Sequence, residues 1–189
     1  MINKFDLLPV KKGFSGPTFN LSNRLKRLAW QFVWFFGARW TPPPMHVWRI
    51  TLLRLFGAKI SWKAFVYPDV NIWAPWNLTI EDFGTLARGV VCYNIAPIRI
   101  GMRAVVSQGS HLCTGSHDYL DPAFPLTARP ISIGRRAWIC ADAFVGPGVS
   151  ISEGAILAAA AATSRDLDPW TIYAGNPATV LRSRPEIND

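Results

Sequence analysis

The sequence has 189 residues and a mass of 21.0 kDa, enough for one domain with a small extension. Half of the residues are hydrophobic and 17% are charged, which permits a sizeable core and excludes a wholly disordered chain. Three cysteines, no secretion signal and no uncharged apolar run of about 20 residues lead us to expect a cytoplasmic protein without disulfides.

The net charge of +8 is concentrated in the N-terminal third of the chain. Residues 1–60 contain ten Lys or Arg and one acid, whereas residues 61–189 contain ten Lys or Arg and eleven acids. The larger part is therefore close to neutral, and we predict no nucleic-acid partner for it. We place a boundary near residue 57, between a basic, aromatic-rich helical extension (1–57) and a second domain (58–189).

Two helices are predicted in the extension. The first spans Asn23–Gly37, with Ser22 or Asn23 as its N-cap, and the second spans Met45–Phe56. Helices in this position could cap the open end of a repeat structure. Because Trp, Phe and Lys or Arg occur together, contact of residues 1–57 with an anionic membrane at its inner face is a compatible second role.

An internal repeat begins at residue 60. An aliphatic residue recurs at every sixth position, with two shifts of phase by two residues, and a small residue follows four positions after most of them. The aliphatic series is Ile60, Val66, Ile72, Leu78, Ile80, Leu86, Cys92, Ile98, Ile100, Val106, Leu112, Ile133, Ile139, Val145, Ile151 and Leu157. The small series is Ala64, Val70, Gly84, Val90, Ala96, Ala104, Ser110, Ser116, Ala137, Ala143, Val149, Ala155 and Ala161, with Trp76 as the exception.

A period of six fits neither an α-helix nor an isolated strand. It fits a chain in which each hexad forms one short strand and a turn, so that three hexads close one triangular coil of 18 residues. The spacing of 20 between Ile60, Ile80 and Ile100 predicts the same coil with a two-residue bulge at a corner. The expected fold is mainly β, a parallel β-helix whose coils bury their interior by stacking.

The hexad pattern stops after His117 and returns at Ile133. Residues 118–130 contain three prolines and no period, which predicts an inserted loop that projects from the coils. His117 lies at the start of this loop, and imidazole can accept a proton near neutral pH because its ordinary pKa is about 6.5. We expect a structural role for His111, and His46 lies in the extension, away from the repeat.

The repeat resembles that of the hexapeptide-repeat acyltransferases, and nearly the whole chain is similar to their colanic-acid and exopolysaccharide O-acetyltransferases. The similarity is carried by the segments LLRLFGAKI, PIRIG, LCTGSHDYLDP, FVGPGVSI and AGNPA. It implies a left-handed β-helix, a homotrimer, acetyl-CoA as the donor, no metal, and a sugar or glycan precursor of a surface polysaccharide as the acceptor. In this family the histidine at the start of the loop is the general base, which assigns that role to His117.

The resemblance also implies residues that bind the donor. These candidates are Trp138, Ala141, Ala159, Ser164, Arg165 and Arg182. The first two would flank the donor near the thioester, and the next three would line the path of its pantetheine and pyrophosphate. The last lies in the C-terminal tail, where a guanidinium could pair with phosphate. Packing alone would also account for Trp138, and a solvated surface for Arg165 and Arg182.

Two residues near the predicted base are candidates for binding the acceptor. The resemblance implies Asn94, which precedes PIRIG where acetyltransferases of this group often carry Asp or Asn near the acceptor, and which lies about one coil before His117. Asp118 directly follows His117, although it could instead cap the turn of the loop. Direct transfer in a ternary complex is expected, because packing explains Cys113 better than a role as nucleophile. Two other functions remain open at this level. They are a zinc hydratase, which needs three converging imidazoles, and a non-catalytic scaffold held at a membrane by residues 1–57.

Overall fold

The computed structural model describes residues 18–187, so residues 1–17 of the predicted extension and the last two residues lie outside its described part. Two helices, α1 (Leu21–Gly37) and α2 (His46–Leu55), precede a series of short strands that wind as a parallel β-helix of about six coils. A 3₁₀ helix at Pro75–Asn77 occupies a corner of the first coil. The predicted β-helix is confirmed.

The strands form three faces of a triangular prism. The first face contains β1 (Lys59–Ile60), β4 (Leu78–Ile80), β7 (Ile98–Ile100), β12 (Ile131–Ile133) and β15 (Ser150–Ile151). The second contains β2 (Phe65–Val66), β5 (Thr85–Leu86), β8 (Val105–Val106), β13 (Trp138–Ile139), β16 (Ile156–Leu157), β18 (Thr171–Ala174) and β19 (Thr179–Ser183). The third contains β3 (Asn71–Ile72), β6 (Val91–Tyr93), β9 (His111–Cys113), β14 (Phe144–Val145) and β17 (Ala162–Thr163).

The interior of the prism is built from the hexad series. Each aliphatic residue of the series is buried, with at most 3% of its surface exposed. A buried side chain of this size contributes roughly 1.5–3 kcal/mol by leaving water. The small residues of the series are buried as well, except Ser116, which is exposed. The six-residue period therefore predicted the buried residues correctly. Its prediction was wrong at Ser116, where the chain leaves the coil.

Buried polar side chains hold the bulged corner in the first three coils. Ala74, Asn94 and Thr114 follow one another there at intervals of 20 residues. The Asn94 Oδ1 accepts from the Ala74 N–H (2.9 Å), and its Nδ2 donates to the Ala74 carbonyl (2.6 Å). Because Cys92 points inward, alternation turns Tyr93 outward and Asn94 inward. Asn94 is fully buried and is a structural residue of the corner, contrary to its prediction as an acceptor-binding residue.

The helix α1 begins two residues earlier than the sequence predicts. The Asn20 side chain is the N-cap, and its Oδ1 accepts from the Asn23 N–H at 2.8 Å. Ser22 and Asn23, the predicted caps, therefore lie inside the first turn. The second helix, α2, matches its prediction to within one residue at each end.

The two helices close the open end of the first coil. Tyr67 donates its N–H to the Leu86 carbonyl in the second coil, so the Val66 carbonyl in the same peptide unit points out of the open end. The same geometry turns the carbonyls of Ile60, Val70 and Ile72 outward.

Each of these four carbonyls accepts from a side chain of α1 or α2. Trp30 Nε1 donates to Ile72 (2.7 Å) and Trp34 Nε1 to Val70 (3.0 Å). Arg49 Nε donates to Val66 (2.7 Å) and Arg54 Nη1 to Ile60 (2.5 Å). Arg and Trp side chains carry donors and no acceptor, which suits an edge of carbonyl groups. The capping role predicted for the helices is therefore visible in the backbone hydrogen bonds.

Arg49 is fully buried although no carboxylate faces it among residues 18–187. Besides Val66, its guanidinium donates to the hydroxyl of Thr41 (2.8 Å), the Pro42 carbonyl (2.9 Å) and the Pro43 carbonyl. Burial lowers the pKa of Arg49 from its usual value. Through these neutral acceptors the side chain joins the turn before α2 to the first coil.

The inserted segment is a β-hairpin that starts earlier than predicted. Strand β10 (Gly115–His117) pairs antiparallel with β11 (Leu126–Ala128), so the chain leaves the coil after Thr114 rather than after His117. It returns at Arg129, whose N–H donates to the Thr114 carbonyl. The prediction that the hexad pattern continues to His117 was therefore wrong, because the chain pairs antiparallel with itself from Gly115 onward instead of continuing the coil.

Removing the buried guanidinium should destabilise the protein. Arg49→Met should lower the free energy of unfolding by about 3 kcal/mol, since a buried acceptor left unpaired costs about 1–3 kcal/mol and several lose their donor together. Arg54→Met, which frees one carbonyl at a more exposed position, should cost about 1 kcal/mol. Urea denaturation followed by circular dichroism at fixed protein concentration measures both. Equal losses for the two variants would contradict this account of the cap.

Candidate functional site

The hairpin of β10 and β11 carries His117 away from the prism. Its imidazole is exposed and lies flat on the Phe124 ring, with ring centroids 4.3 Å apart and planes 9° from parallel. The Nδ1 atom lies 2.8 Å from the Phe124 carbonyl oxygen. Two contacts from one residue of the loop thus fix the orientation of the ring.

The contact with Phe124 also determines the tautomer of His117. A carbonyl oxygen can only accept a hydrogen bond, so Nδ1 of the neutral ring carries the proton and donates it. The lone pair of the neutral imidazole is then on Nε2, at the other side of the ring. This is the arrangement a general base needs, with one nitrogen held by the backbone and the other available.

The turn of the hairpin is stabilised by aspartates. Asp118 Oδ1 accepts from the Leu120 N–H (3.1 Å), and Asp121 Oδ1 accepts from the Ala123 N–H (2.8 Å). Phe124 has a positive φ of 46°, which turns its carbonyl back toward His117. Asp118 thus caps the loop, the alternative left open by the sequence, and it stays next to the base.

The other histidines lie at separate places. His111 is on the third face, where burial lowers its pKa and its ring meets Phe144 edge-on at 5.5 Å. His46 is in α2, with Nδ1 at 3.1 Å from the Val66 carbonyl. The structure does not bring them together with His117. Within residues 18–187 no three His, Cys, Asp or Glu side chains form a group that could hold a metal ion.

Cys113 lies just before the hairpin, and its thiol donates to the Gly115 carbonyl at 3.3 Å. Burial raises the pKa of this thiol, against a smaller opposite effect of the hydrogen bond. Because the thiolate is the nucleophilic form, a raised pKa disfavours a covalent acyl-enzyme on Cys113.

Two of the predicted donor residues lie at the same edge of the prism as the hairpin. This edge joins the third face to the first, and we call it the hairpin edge (Thr114, Gly146–Gly148 and Ser164–Asp166). Ser164 and Arg165 are exposed there, and the Thr163 hydroxyl fixes their turn by accepting from the Arg165 N–H (3.1 Å) and donating to its carbonyl (2.7 Å).

Two adjacent depressions surround this turn. One has a volume of about 160 Å³ and lies between Ala162–Arg165 and Pro177–Thr179. The other, of about 410 Å³, is lined by Phe144, Ala162–Ser164 and Asn176–Pro177. Ser164 and Arg165, two of the three residues predicted to line the path of the pantetheine and pyrophosphate, therefore border a concave part of the surface.

The remaining donor candidates lie across the third face, at a different edge. This edge joins the second face to the third, and we call it the Trp138 edge (Trp138–Asp142 and Ala158–Ala160). Trp138 is 45% exposed and its Nε1 donates to the Ser107 hydroxyl at 2.8 Å. Arg182 is in the same row of the second face, reached from Trp138 through Ile156 and Ile172. One chain thus separates its predicted donor residues: Ser164 and Arg165 lie on the hairpin edge, Trp138, Ala141 and Ala159 on the Trp138 edge, and Arg182 on the second face beside it.

An aromatic row that was not predicted from the sequence lies beside the hairpin. Trp73 and Tyr93 point outward from the third face in the first and second coils, with ring centroids 5.1 Å apart. Arg27 of α1 lies over the Trp73 ring at 3.9 Å. A Cβ on Gly115 would come within 2.7 Å of the Tyr93 ring, so glycine lets β10 pass close to it. The alternation around the inward Ile72 and Cys92 could have revealed this row.

Comparison with known sequences identifies relatives of the whole chain. No family model matches the sequence. The colanic acid biosynthesis acetyltransferase WcaF of Escherichia coli (strain K12) is 40% identical over 177 residues, which are 94% of this chain and 94% of WcaF. The galactoside O-acetyltransferase of the same organism is 27% identical over 79% of this chain and 62% of its own length.

Solved structures share the fold. A hexapeptide-repeat acetyltransferase of Vibrio cholerae O1 biovar eltor, in complex with acetyl-coenzyme A, superposes with a TM-score of 0.79 at 26% identity over 93% of this chain and 96% of its own. A maltose O-acetyltransferase of Clostridium difficile 630 has the same TM-score at 18% identity, over 88% of this chain and 90% of its own, which shows the fold alone.

The chain has the six-residue repeat, the β-helical prism and the hairpin. It is also 40% identical to WcaF over 94% of the length of each protein. The chain belongs to the hexapeptide-repeat acetyltransferases, a family of left-handed parallel β-helices.

Proposed function

We propose that the protein is an O-acetyltransferase that moves an acetyl group from acetyl-CoA to a hydroxyl of a sugar or glycan precursor in surface polysaccharide biosynthesis. The observation that carries this proposal is the fixed orientation of the His117 imidazole. Its Nδ1 donates to the Phe124 carbonyl, so its Nε2 can accept a proton from the acceptor hydroxyl. The polysaccharide assignment is supported by the similarity to WcaF, and the donor by the complex of the Vibrio cholerae neighbour.

In the proposed reaction Nε2 of His117 accepts the proton of the acceptor hydroxyl. The hydroxyl oxygen forms a bond to the thioester carbonyl carbon, the carbon–sulfur bond breaks, and the proton passes from His117 to the departing thiolate. The imidazole ends neutral, so no further reactant is needed. The transfer is direct, in agreement with the raised pKa of the Cys113 thiol.

The donor site is proposed to lie between subunits of a homotrimer. The hairpin edge carries His117, Ser164 and Arg165, whereas the Trp138 edge carries Ala141 and Ala159, and the third face separates the two. A groove that uses both edges is formed when the hairpin edge of one subunit meets the Trp138 edge of the next.

The polarity of the three faces supports this assembly. Outward residues of the first face are polar, namely Lys59, Thr79, Arg99, Ser132 and Ser150. Outward residues of the second face are largely apolar, namely Phe65, Thr85, Val105, Trp138, Ile156 and Ile172. The third face adds Val91 and Phe144. Apolar outer faces on a prism with a filled interior suit contact between subunits.

The acceptor is proposed to bind beside the hairpin. Asp118 stays a candidate on the loop, and the outward Tyr93 takes the place of the buried Asn94. Catalysis is assigned to residues 58–189, with residues 1–57 as the helical extension. We place the enzyme in the cytoplasm, peripherally at the inner membrane face. The free Cys92, Cys113 and Cys140 agree with that compartment.

Replacing the proposed base should remove most of the activity. His117→Ala should lower kcat by about 10²–10⁴, the usual contribution of a general base, with little change in coenzyme A affinity. His111→Gln, a matched change on the third face, should keep most of the activity. Thiol release from acetyl-CoA with a panel of sugars measures turnover. A His117→Ala enzyme that retains more than a tenth of the activity would show that another group is the base.

Arg165 should contribute to donor binding rather than to chemistry. A charge-assisted hydrogen bond contributes about 1.5–3 kcal/mol, so Arg165→Ala should raise KM for acetyl-CoA by about 10- to 100-fold with a small change in kcat. The control is Arg99→Ala on the first face, where the arginine pairs with Glu81. Steady-state kinetics at varied acetyl-CoA distinguish the two, and an unchanged KM for Arg165→Ala would remove it from the site.

The assembly should depend on the apolar faces. Light scattering should give a mass about three times the 21.0 kDa of the chain. Phe144→Glu on the third face should reduce this mass and the activity together, whereas Ser132→Glu on the polar first face should change neither. A monomeric mass for the native protein would contradict the trimer.

A further inference from the structure

The helix α1 carries a second apolar stripe that contacts nothing in the described chain's core. Its members are Leu21, Leu25, Leu28, Phe32, Phe35 and Phe36, which are 46–65% exposed. At 3.6 residues per turn this stripe lies on the side opposite to Trp30 and Trp34, which pack on the first coil. The helix is thus apolar on two opposite sides, and the cap accounts for only one of them.

The C-terminal part of the stripe is a cluster of exposed aromatic rings. Phe32 and Phe36 have centroids 4.6 Å apart, Phe35 and Phe36 are 5.0 Å apart, and Trp40 lies 5.9 Å from Phe35. Trp40 is 72% exposed. These rings contact one another and protrude from the helix into solvent. Contiguous apolar surface of this kind marks an interaction site.

The segment that contains α1 and α2 carries charge of one sign. Residues 18–68 contain no Asp or Glu. Arg24 is exposed on one flank of the stripe, Lys26 is exposed further round the helix, and Arg39 is exposed just beyond the C-terminal end of the stripe. Arg27 and Arg49 do not add to this surface, since one lies over Trp73 and the other is buried. An identical copy would bring like charges together, whereas an anionic surface would meet opposite charge.

We propose that the outer stripe of α1 docks on an anionic lipid surface. The stripe lies along the plane of the interface, with Phe32, Phe36 and Trp40 among the acyl chains and with Arg24 and Lys26 at the level of the phosphates. Among residues 18–187 no helix is long and apolar enough to cross a bilayer, so this contact is peripheral. The inference names the partner of the extension and rests on the proposed function only for the side of the membrane.

An apolar and an electrostatic contribution together favour a lipid surface as the partner. Burial of several large apolar side chains gives an attraction that salt does not weaken. Each cation near an anionic surface adds about 1 kcal/mol, and this part is screened by salt. A flat, fluid interface can accept protruding rings of different length, which a folded partner could accept only through matching cavities.

The full-length protein should therefore float with vesicles that contain phosphatidylglycerol. Binding to phosphatidylcholine vesicles should be weaker, and raising the salt should weaken binding to the anionic vesicles without abolishing it. Arg24→Glu/Lys26→Glu should weaken that binding by at least about 30-fold, the equivalent of about 1 kcal/mol for each attraction removed. The matched control is Arg99→Glu/Arg103→Glu, which makes the same change of charge on the prism.

A separate double variant tests the apolar contribution to vesicle binding. Phe32→Ser/Phe36→Ser should abolish the binding that remains at high salt, and circular dichroism shows whether α1 is retained. All variants should acetylate a soluble acceptor as the native protein does, so a loss of vesicle binding with activity intact separates this inference from the proposed function.

Three results would overturn the inference. One is no flotation with anionic vesicles at low salt. Another is a vesicle-bound protein whose binding is unaffected by both pairs of substitutions. The third is a fall in oligomeric mass by light scattering for Phe32→Ser/Phe36→Ser, which would show that a second copy of the chain covers the stripe.

Discussion

In a parallel β-helix the backbone N–H and C=O groups of each coil form hydrogen bonds with the coils above and below it. At the two ends of the stack, the rest of the chain must therefore supply the missing hydrogen-bond partners. At the first coil the outward carbonyls of Ile60, Val66, Val70 and Ile72 meet the donors of two Arg and two Trp side chains. At the other end β19 folds back and pairs antiparallel with β18. The cationic, tryptophan-rich composition of the N-terminal third thus has a structural cause besides any role at a membrane.

The same stack fixes the geometry of the candidate site. Rigid coils align corner on corner, so Thr114, where the hairpin leaves, and Ser164, two coils later, lie along one edge. The hairpin then needs only to orient one ring, and Phe124 does this with its carbonyl and its side chain. A prism with a filled interior has no deep pocket of its own, which is why a groove that uses two edges points to neighbouring subunits.

Sequence reasoning was accurate where the repeat holds and failed where it is interrupted. The hexad series predicted the buried aliphatic residues from Ile60 to Leu157. Ser116 and the hexad position of His117 were wrong because the chain pairs with itself from Gly115 onward. Asn94 was assigned by resemblance, although alternation after the inward Cys92 already placed its side chain inside.

The sequence by itself determined the β-helix and the family, and it singled out the histidine on which the proposed chemistry depends. These follow from local periodicity and from motifs that are contiguous in the chain. Only the tertiary structure decided which nitrogen of His117 is held, since Phe124 reaches it across the hairpin. Only the tertiary structure separated the predicted donor residues onto two edges, and only it showed that α1 leaves its outer stripe uncovered. Each depends on how distant segments pack, which a spacing along the chain does not encode.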